Sequence, residues 1–157
     1  MQFLAVKEAL EAEREKFNLE IERFQQMSYT EQTAHIPYQE ITENILNLRC
    51  PRCRLVFAEF DGCFALTCKC RAGICAWCLA DCGADAHGHV ARCPENRTGS
   101  VYGTPQDFNR HHRDRRKRLV EEKLKSSNVP AAVMNILRTK LAQDLRHLDI
   151  RIDLPGW

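Results

Sequence analysis

The chain has 157 residues, a net charge of +2, 44% hydrophobic residues and 28% charged residues, values that are ordinary for a globular protein. So small a net charge gives no argument by itself for binding nucleic acid or an acidic membrane surface. No apolar run approaches the roughly 18–20 residues of a membrane span, and the charged N-terminal stretch lacks the apolar core of a secretory signal. We therefore expect no membrane association.

The N-terminal segment, residues 1–48, is predicted to be helical. Apolar residues recur every seven positions, at Phe3, Leu10, Phe17 and Phe24. This spacing indicates an amphipathic helix over residues 2–26 that packs on its own domain, with a coiled-coil contact to a partner as the alternative. Ser28 and Glu31 have capping-box spacing and should start a second helix. Pro37 is expected to begin a third helix, which delivers the chain to the first cysteine.

The C-terminal segment, residues 104–157, is predicted to hold two helices. Thr104 resembles an N-cap, with Pro105 as the first helical residue, and this helix should run to about Lys125. Asn128 is expected to cap the final helix. A dense basic run, Arg110–Arg118, lies on the first of the two. It fits either the solvated face of a helix or a surface for phosphate, a nucleic acid backbone or an acidic protein.

All nine cysteines lie between Cys50 and Cys93, and several pairs have the spacing of metal ligands rather than of a disulfide framework. Without an export signal, such pairs indicate an intracellular, reducing compartment, either the cytoplasm or the nucleus. We expect two Zn²⁺ ions, because zinc takes four thiolate or imidazole ligands tetrahedrally. The first ion is assigned Cys50, Cys53, Cys68 and Cys70. The second is assigned Cys75, Cys78, His89 and Cys93, with His87 as the alternative to His89.

Under this assignment two cysteines, Cys63 and Cys82, remain without a metal, with Cys82 as an alternative to one of the later ligands. Good strand formers on either side of Asp61-Gly62 predict a β-hairpin, with Cys63 directly after its turn and far from the clamped end. A spare thiol there is either a small buried hydrophobe or an accessible nucleophile that forms a thioester. Together the patterns predict a helix-rich α+β protein whose two-zinc β-ribbon domain, residues 49–95, is flanked by N- and C-terminal helices.

Residues 50–93 resemble the catalytic Rcat domain, an IBR-like zinc module, of RING-between-RING (RBR) ubiquitin ligases. They carry C-P-R-C, then after eight residues G-C, after four more a cysteine, and later C-A-W-C-L. The resemblance implies that Cys63 accepts ubiquitin as a thioester from a conjugating enzyme and passes it to an amine of a protein substrate. It also implies that Cys50, Cys53, Cys68, Cys70, Cys75 and Cys78 are zinc ligands.

The sequence departs from that family at Ala65, where the family usually has a histidine that activates the incoming amine. The Cys68-x-Cys70 spacing is also shorter than usual, and no RING precedes the stretch. A base must therefore come from elsewhere. The candidates are Glu59, Asp61, His111, His112 and whichever of His87 and His89 is free of metal. The alternative function is a non-catalytic zinc module that binds ubiquitin or another protein. Nucleic-acid binding through Arg110–Arg118 is a weaker third hypothesis.

Overall fold

The computed structural model describes residues 2–157 as five α-helices, one π-helical turn and a two-stranded sheet. In chain order these elements are α1 Gln2–Gln26, α2 Tyr29–Ile41, the π turn Thr42–Leu46, β1 Ala65–Thr67, β2 Gly73–Cys75, α3 His87–Val90, α4 Pro105–Ser126 and α5 Ala131–His147. The predicted helix-rich α+β class is confirmed. Within the described residues, no helix combines the length and apolar character needed to cross a membrane.

The junction between α1 and α2 has the predicted capping box. Ser28 Oγ accepts the Glu31 N–H at 3.3 Å, and the Glu31 carboxylate accepts the Ser28 N–H at 3.2 Å. The Gln32 side-chain amide donates to the carbonyls of Phe24 and Met27, at 2.9 and 3.2 Å. These bonds satisfy backbone groups that would otherwise lack partners at both helix ends.

The expectation that α1 packs on its own domain is wrong. Phe3, Leu10 and Phe17 are 94%, 65% and 62% exposed. Only near its end does α1 contact α2, where the rings of Phe24 and His35 lie 5.6 Å apart. The buried side of α2 packs against α5 instead, which leaves the apolar stripe of α1 facing solvent.

Pro37 lies inside α2, so the prediction that it begins another helix is also wrong. Proline has no N–H to donate within a helix, yet the helix continues past it to Ile41. The chain then passes into the π turn, where the Asn47 N–H donates to the Thr42 carbonyl at 2.9 Å. That five-residue spacing is the π-helical pattern, which is uncommon and often lies at functional sites.

A helical core joins α2, α4 and α5. Its buried side chains are apolar and include Ile41, Val120, Leu124, Leu137, Leu141 and Leu145. The predicted start of α4 is confirmed, since Thr104 Oγ1 accepts the Asp107 N–H at 3.1 Å and Pro105 is the first helical residue. Helix α5 begins at Ala131 rather than directly after Asn128. Pro130 occupies its N-cap, where a missing N–H carries little penalty.

The predicted hairpin around Asp61-Gly62 is wrong. Strand β1 pairs antiparallel with β2, with Leu66 opposite Ile74, while Val56 pairs with Arg49. A five-residue connection, residues 68–72, closes the observed pair, and the Cys68 N–H donates to the Ala72 carbonyl at 2.9 Å. Strand β1 therefore pairs across the cysteine-rich turn, residues 68–72, and not across Asp61-Gly62.

Two buried histidines of α4 attach the ribbon to the helices. His111 Nε2–H donates to the Trp77 carbonyl at 2.8 Å, and His112 Nε2–H donates to the Ala76 carbonyl at 2.6 Å. The Trp77 ring stacks on Phe64 with ring centroids 4.0 Å apart. Both rings belong to the core of the ribbon, and Phe64 directly follows Cys63. The helical core thus fixes the backbone on which the candidate site is built.

Candidate functional site

The first cluster of ligating side chains contains four thiols. It consists of Cys50, Cys53, Cys68 and Cys70, whose sulfur atoms all lie within 4.8 Å of one another. Two sulfur pairs, Cys50 with Cys70 and Cys53 with Cys68, are separated by 3.7 and 3.6 Å. A tetrahedron with zinc–sulfur bonds of the usual length has edges of about 3.8 Å. The donor set therefore fits a tetrahedral metal ion.

The second cluster contains three thiols and one imidazole. It consists of Cys75, Cys78, His89 and Cys93, again within 4.8 Å of one another. The His89 Nε2 lies 3.2 Å from the Cys78 sulfur. Strand β2 ends at Cys75, and the short helix α3 brings His89 towards it. The structure brings His89 into the cluster and leaves His87 outside it. Both clusters could hold a metal ion.

The electrostatics of these thiols favour a cation. Burial opposes ionisation of Cys50, but the N–H groups of Cys53 and Arg52 outweigh it and lower the pKa of Cys50 to about 7. Burial raises the pKa of Cys75 to about 12. Several thiolates crowded together repel one another, so full ionisation of either cluster requires a positive ion among them.

Cys63 belongs to neither cluster. Its N–H donates to the Asp61 carboxylate at 3.1 Å, and Gly62 between them has a φ of +101°, a value that favours glycine. Cys63 lies opposite Tyr102 in an antiparallel bridge. The bonds on either side, from Phe64 N–H and Gly103 N–H, make Cys63 and Tyr102 a closely spaced pair.

A histidine and an aspartate complete a chain of polar contacts at Cys63. Its sulfur lies 3.8 Å from His87 Nε2, and His87 Nδ1 lies 2.5 Å from an Asp85 carboxylate oxygen. A carboxylate accepts, so Nδ1 donates to Asp85 and leaves Nε2 as the acceptor facing the thiol. The Asp85 pKa is lowered, first by this hydrogen bond. The arrangement is that of a thiol, a base and a group that orients the base.

Of the other candidate bases, Asp61 accepts the Cys63 N–H, whereas His111 and His112 lie elsewhere. His111 and His112 are buried and donate to carbonyls of the Cys75–Cys78 turn, so they anchor that turn. Burial is the main cause of their lowered pKa values, with that of His112 at about 3. Sequence reasoning missed Asp85, although its position two residues before His87 was a signal that a carboxylate would reach the ring.

An open groove lies beside Cys63. It has a volume of about 1040 Å³ and is lined by residues 55–61, residues 65–69 and Ile74. Asp61 and Ala65, two positions before and after Cys63, are both in its wall. Within residues 2–157 the sheet has only two strands, so the groove runs along β1 where no further strand pairs with it. An extended chain end fits such a groove.

The two remaining sequence features have different surroundings. Cys82 is half-buried, its sulfur lies 3.5 Å from the Ala80 carbonyl, and burial raises its pKa. The structure places no base against it among the described contacts. In the basic run of α4, Arg113 pairs with Asp149 and Lys117 pairs with Asp153, at 3.2 and 2.6 Å. Part of the positive charge is therefore balanced within the chain.

No family model matches the chain, and no curated protein or solved structure matches it either.

Proposed function

We propose that the chain is an E3 ubiquitin ligase module of RBR type, which carries ubiquitin as a thioester on Cys63. The supporting observation is the contact series from Cys63 through His87 to Asp85, next to two ligand clusters that are complete without these residues. We propose zinc as the metal in both clusters, since three or four thiolates in a tetrahedral set suit Zn²⁺. In this proposal the metals hold the ribbon, and Cys63 carries the chemistry.

The first step is transfer of ubiquitin from a conjugating enzyme. The Cys63 thiol releases its proton to water, and the resulting thiolate attacks the carbonyl carbon of the incoming thioester and forms a new carbon–sulfur bond. The bond to the conjugating enzyme's sulfur breaks, and that sulfur leaves as a thiolate. The groove beside Asp61 and Ala65 gives the extended end of ubiquitin a place to lie while its last carbonyl meets Cys63.

The second step is transfer to a substrate amine. The amine attacks the same carbonyl carbon while His87 Nε2 accepts its proton, and the Cys63 sulfur leaves. Asp85 holds Nδ1 and so keeps Nε2 directed at the reacting atoms. His87 thereby supplies the proton acceptor that the resembled family usually places at the position of Ala65.

The decisive experiment uses the metal-loaded protein and a conjugating enzyme charged with ubiquitin. The unaltered protein should form an adduct that reducing agent cleaves, and Cys63→Ser should form an ester that reducing agent leaves intact. Cys63→Ala should form neither. Cys82→Ala is the matched control, because it removes the other cysteine outside the clusters and should behave as the unaltered protein. An undiminished adduct on Cys63→Ala would show that the proposal is wrong.

The role of His87 is tested separately from that of Cys63. His87→Gln should keep both metal ions and still load ubiquitin, whereas discharge to free lysine should slow by about 100-fold or more. Asp85→Asn should slow discharge less, because His87 remains. Equal discharge rates in His87→Gln and the unaltered protein would exclude His87 as the proton acceptor.

The second candidate function, a non-catalytic module that binds ubiquitin or another protein, is favoured by α1. Its apolar stripe at Phe3, Leu10 and Phe17 is exposed, as expected for a helix that packs on a partner. Stable binding of ubiquitin without any adduct on Cys63 would favour this function over the first. For either function we propose a reducing compartment, the cytoplasm or the nucleus, because none of the nine cysteines forms a disulfide.

A further inference from the structure

A second cavity adjoins the sheet groove at residues 56–58 and lies between the cysteine-rich ribbon and the helical core. It has a volume of about 390 Å³ and is bounded by α2, the π turn, α4 and α5. Its apolar lining consists of Leu46, Leu48, Val56, Phe57, Ala58 and Leu148. Its polar lining consists of Tyr38, Thr42, Asn47, Arg116, Asp144 and His147.

The two hydroxyl donors in this cavity already have partners. The Tyr38 hydroxyl donates to the Asp144 carboxylate at 2.9 Å, and the Thr42 hydroxyl donates to the Tyr38 carbonyl at 3.0 Å. Asp144 is the only acidic residue in the lining. Because these hydroxyls donate within the chain, Arg116 is the charged donor that the cavity offers to a ligand, together with an apolar wall.

Arg116 is the unbalanced group. It is half-buried, its Nε is buried without a hydrogen-bond partner, and no ion pair is formed by it among the described residues. Burial, with some repulsion from Arg115, lowers its pKa, so the chain itself disfavours this charge. Buried arginines are normally paired, because an unpaired charge in a partly desolvated place is costly. A ligand carboxylate would supply the missing partner.

We propose that this cavity, the Arg116 pocket, binds an acidic side chain of a partner protein together with an apolar residue next to it. Arg116 donates to the carboxylate, and the apolar neighbour packs on Val56 and Phe57 at the rim. A carboxylate suits the pocket better than a phosphate, because Asp144 in the same lining repels any anion and repels a doubly charged phosphate more than a singly charged carboxylate. The guanidinium also matches the planar carboxylate. Cys63 does not line the pocket, and binding there does not depend on its chemistry, although the pocket and the groove beside Cys63 share residues 56–58.

The test is an NMR titration of the isotope-labelled, metal-loaded chain with the peptide N-acetyl-Leu-Glu-Leu-amide. The peptide should shift the Arg116 Nε–H signal and the amide signals of residues 46–48, which line this pocket and not the sheet groove. The isosteric peptide with glutamine in place of glutamate should bind about tenfold more weakly, because the charge-assisted hydrogen bond is lost. This comparison needs no substitution in the protein.

Two matched variants then locate the contact. Arg116→Gln should bind both peptides equally weakly, whereas Arg115→Gln should keep the tenfold preference, because Arg115 does not line the pocket. Both variants remove one positive charge from neighbouring positions. The proposal would be overturned if the two peptides bound equally or if neither bound. It would also be overturned if Arg116→Gln kept the preference for the glutamate peptide. A short single-stranded oligonucleotide that shifts the same signals more strongly would show that the pocket serves nucleic acid instead.

Discussion

Protonation of His112 should govern how the stability of the fold depends on pH. Its side chain is fully buried, its Nε2–H donates to the Ala76 carbonyl, and its pKa is lowered to about 3, chiefly by burial. In the unfolded chain a histidine has a pKa of about 6.5. Between these two values the unfolded state binds a proton that the folded state does not, so stability is present above pH 6.5 and is lost as the pH falls.

The size of this effect follows from the two pKa values. Each pH unit inside the window costs about 1.4 kcal/mol, so lowering the pH from 7.5 to 5.0 should remove about 2 kcal/mol through His112. His112→Gln retains a donor for the Ala76 carbonyl but has no group that titrates in this range. The variant should therefore lose about 2 kcal/mol less than the unaltered protein over the same interval.

The assay is chemical unfolding at both pH values, followed by circular dichroism. Loss of metal at low pH affects both proteins alike and cancels in the difference between them. His147→Gln is the matched control, since His147 is exposed. This variant should lose the same free energy of unfolding between the two pH values as the unaltered protein. An identical loss of stability in His112→Gln and the unaltered protein would refute the reasoning.

Three further outcomes are expected. Leu141→Ala should lower the free energy of unfolding by about 2–5 kcal/mol, because Leu141 is fully buried. Leu10→Ala on the exposed helix α1 should change it by less than about 0.5 kcal/mol. Urea unfolding would measure both variants, and equal effects would contradict the packing described. Tyr102→Ala should slow ubiquitin loading of Cys63, because Tyr102 lies opposite Cys63 and is 68% exposed, whereas Tyr29→Ala should leave loading unchanged. Unchanged loading of Tyr102→Ala in a thioester assay would exclude a role for the Tyr102 ring. A chelator should unfold the ribbon, as seen by circular dichroism, and should abolish ubiquitin loading of Cys63 in the thioester assay. Loading that persists after metal removal would contradict a structural role for the metals.

Local features of the fold were predictable from the sequence. The Ser28 and Thr104 caps depend on bonds that span three residues, and both form as expected. The residues predicted as ligands likewise lie together, because two-residue spacers bring paired cysteines onto one side of a turn. The separation of Cys63 from both groups also followed from counting ligands.

Features that depend on distant parts of the chain were not predictable. Strand β1 was expected to pair across Asp61-Gly62, but the cysteine-rich turn offered it β2 instead. The exposure of α1 was missed because periodicity shows that a face is apolar without showing whether another element covers it. The balance of charge at Arg116 likewise depends on which residues α2 and α5 bring to it.

By itself, the sequence determined the composition of the candidate site: eight ligating residues in two groups and two cysteines, Cys63 and Cys82, that neither group needs. The tertiary structure decided how they are used. Helix α3 directs His89 into the second cluster and His87 towards Cys63, a choice that spacing left open. The tertiary structure also places the Asp85 carboxylate against the His87 ring. The reason is physical: ligand spacing is a property of a few consecutive residues, whereas the meeting of Cys63 and His87 requires the whole ribbon to close.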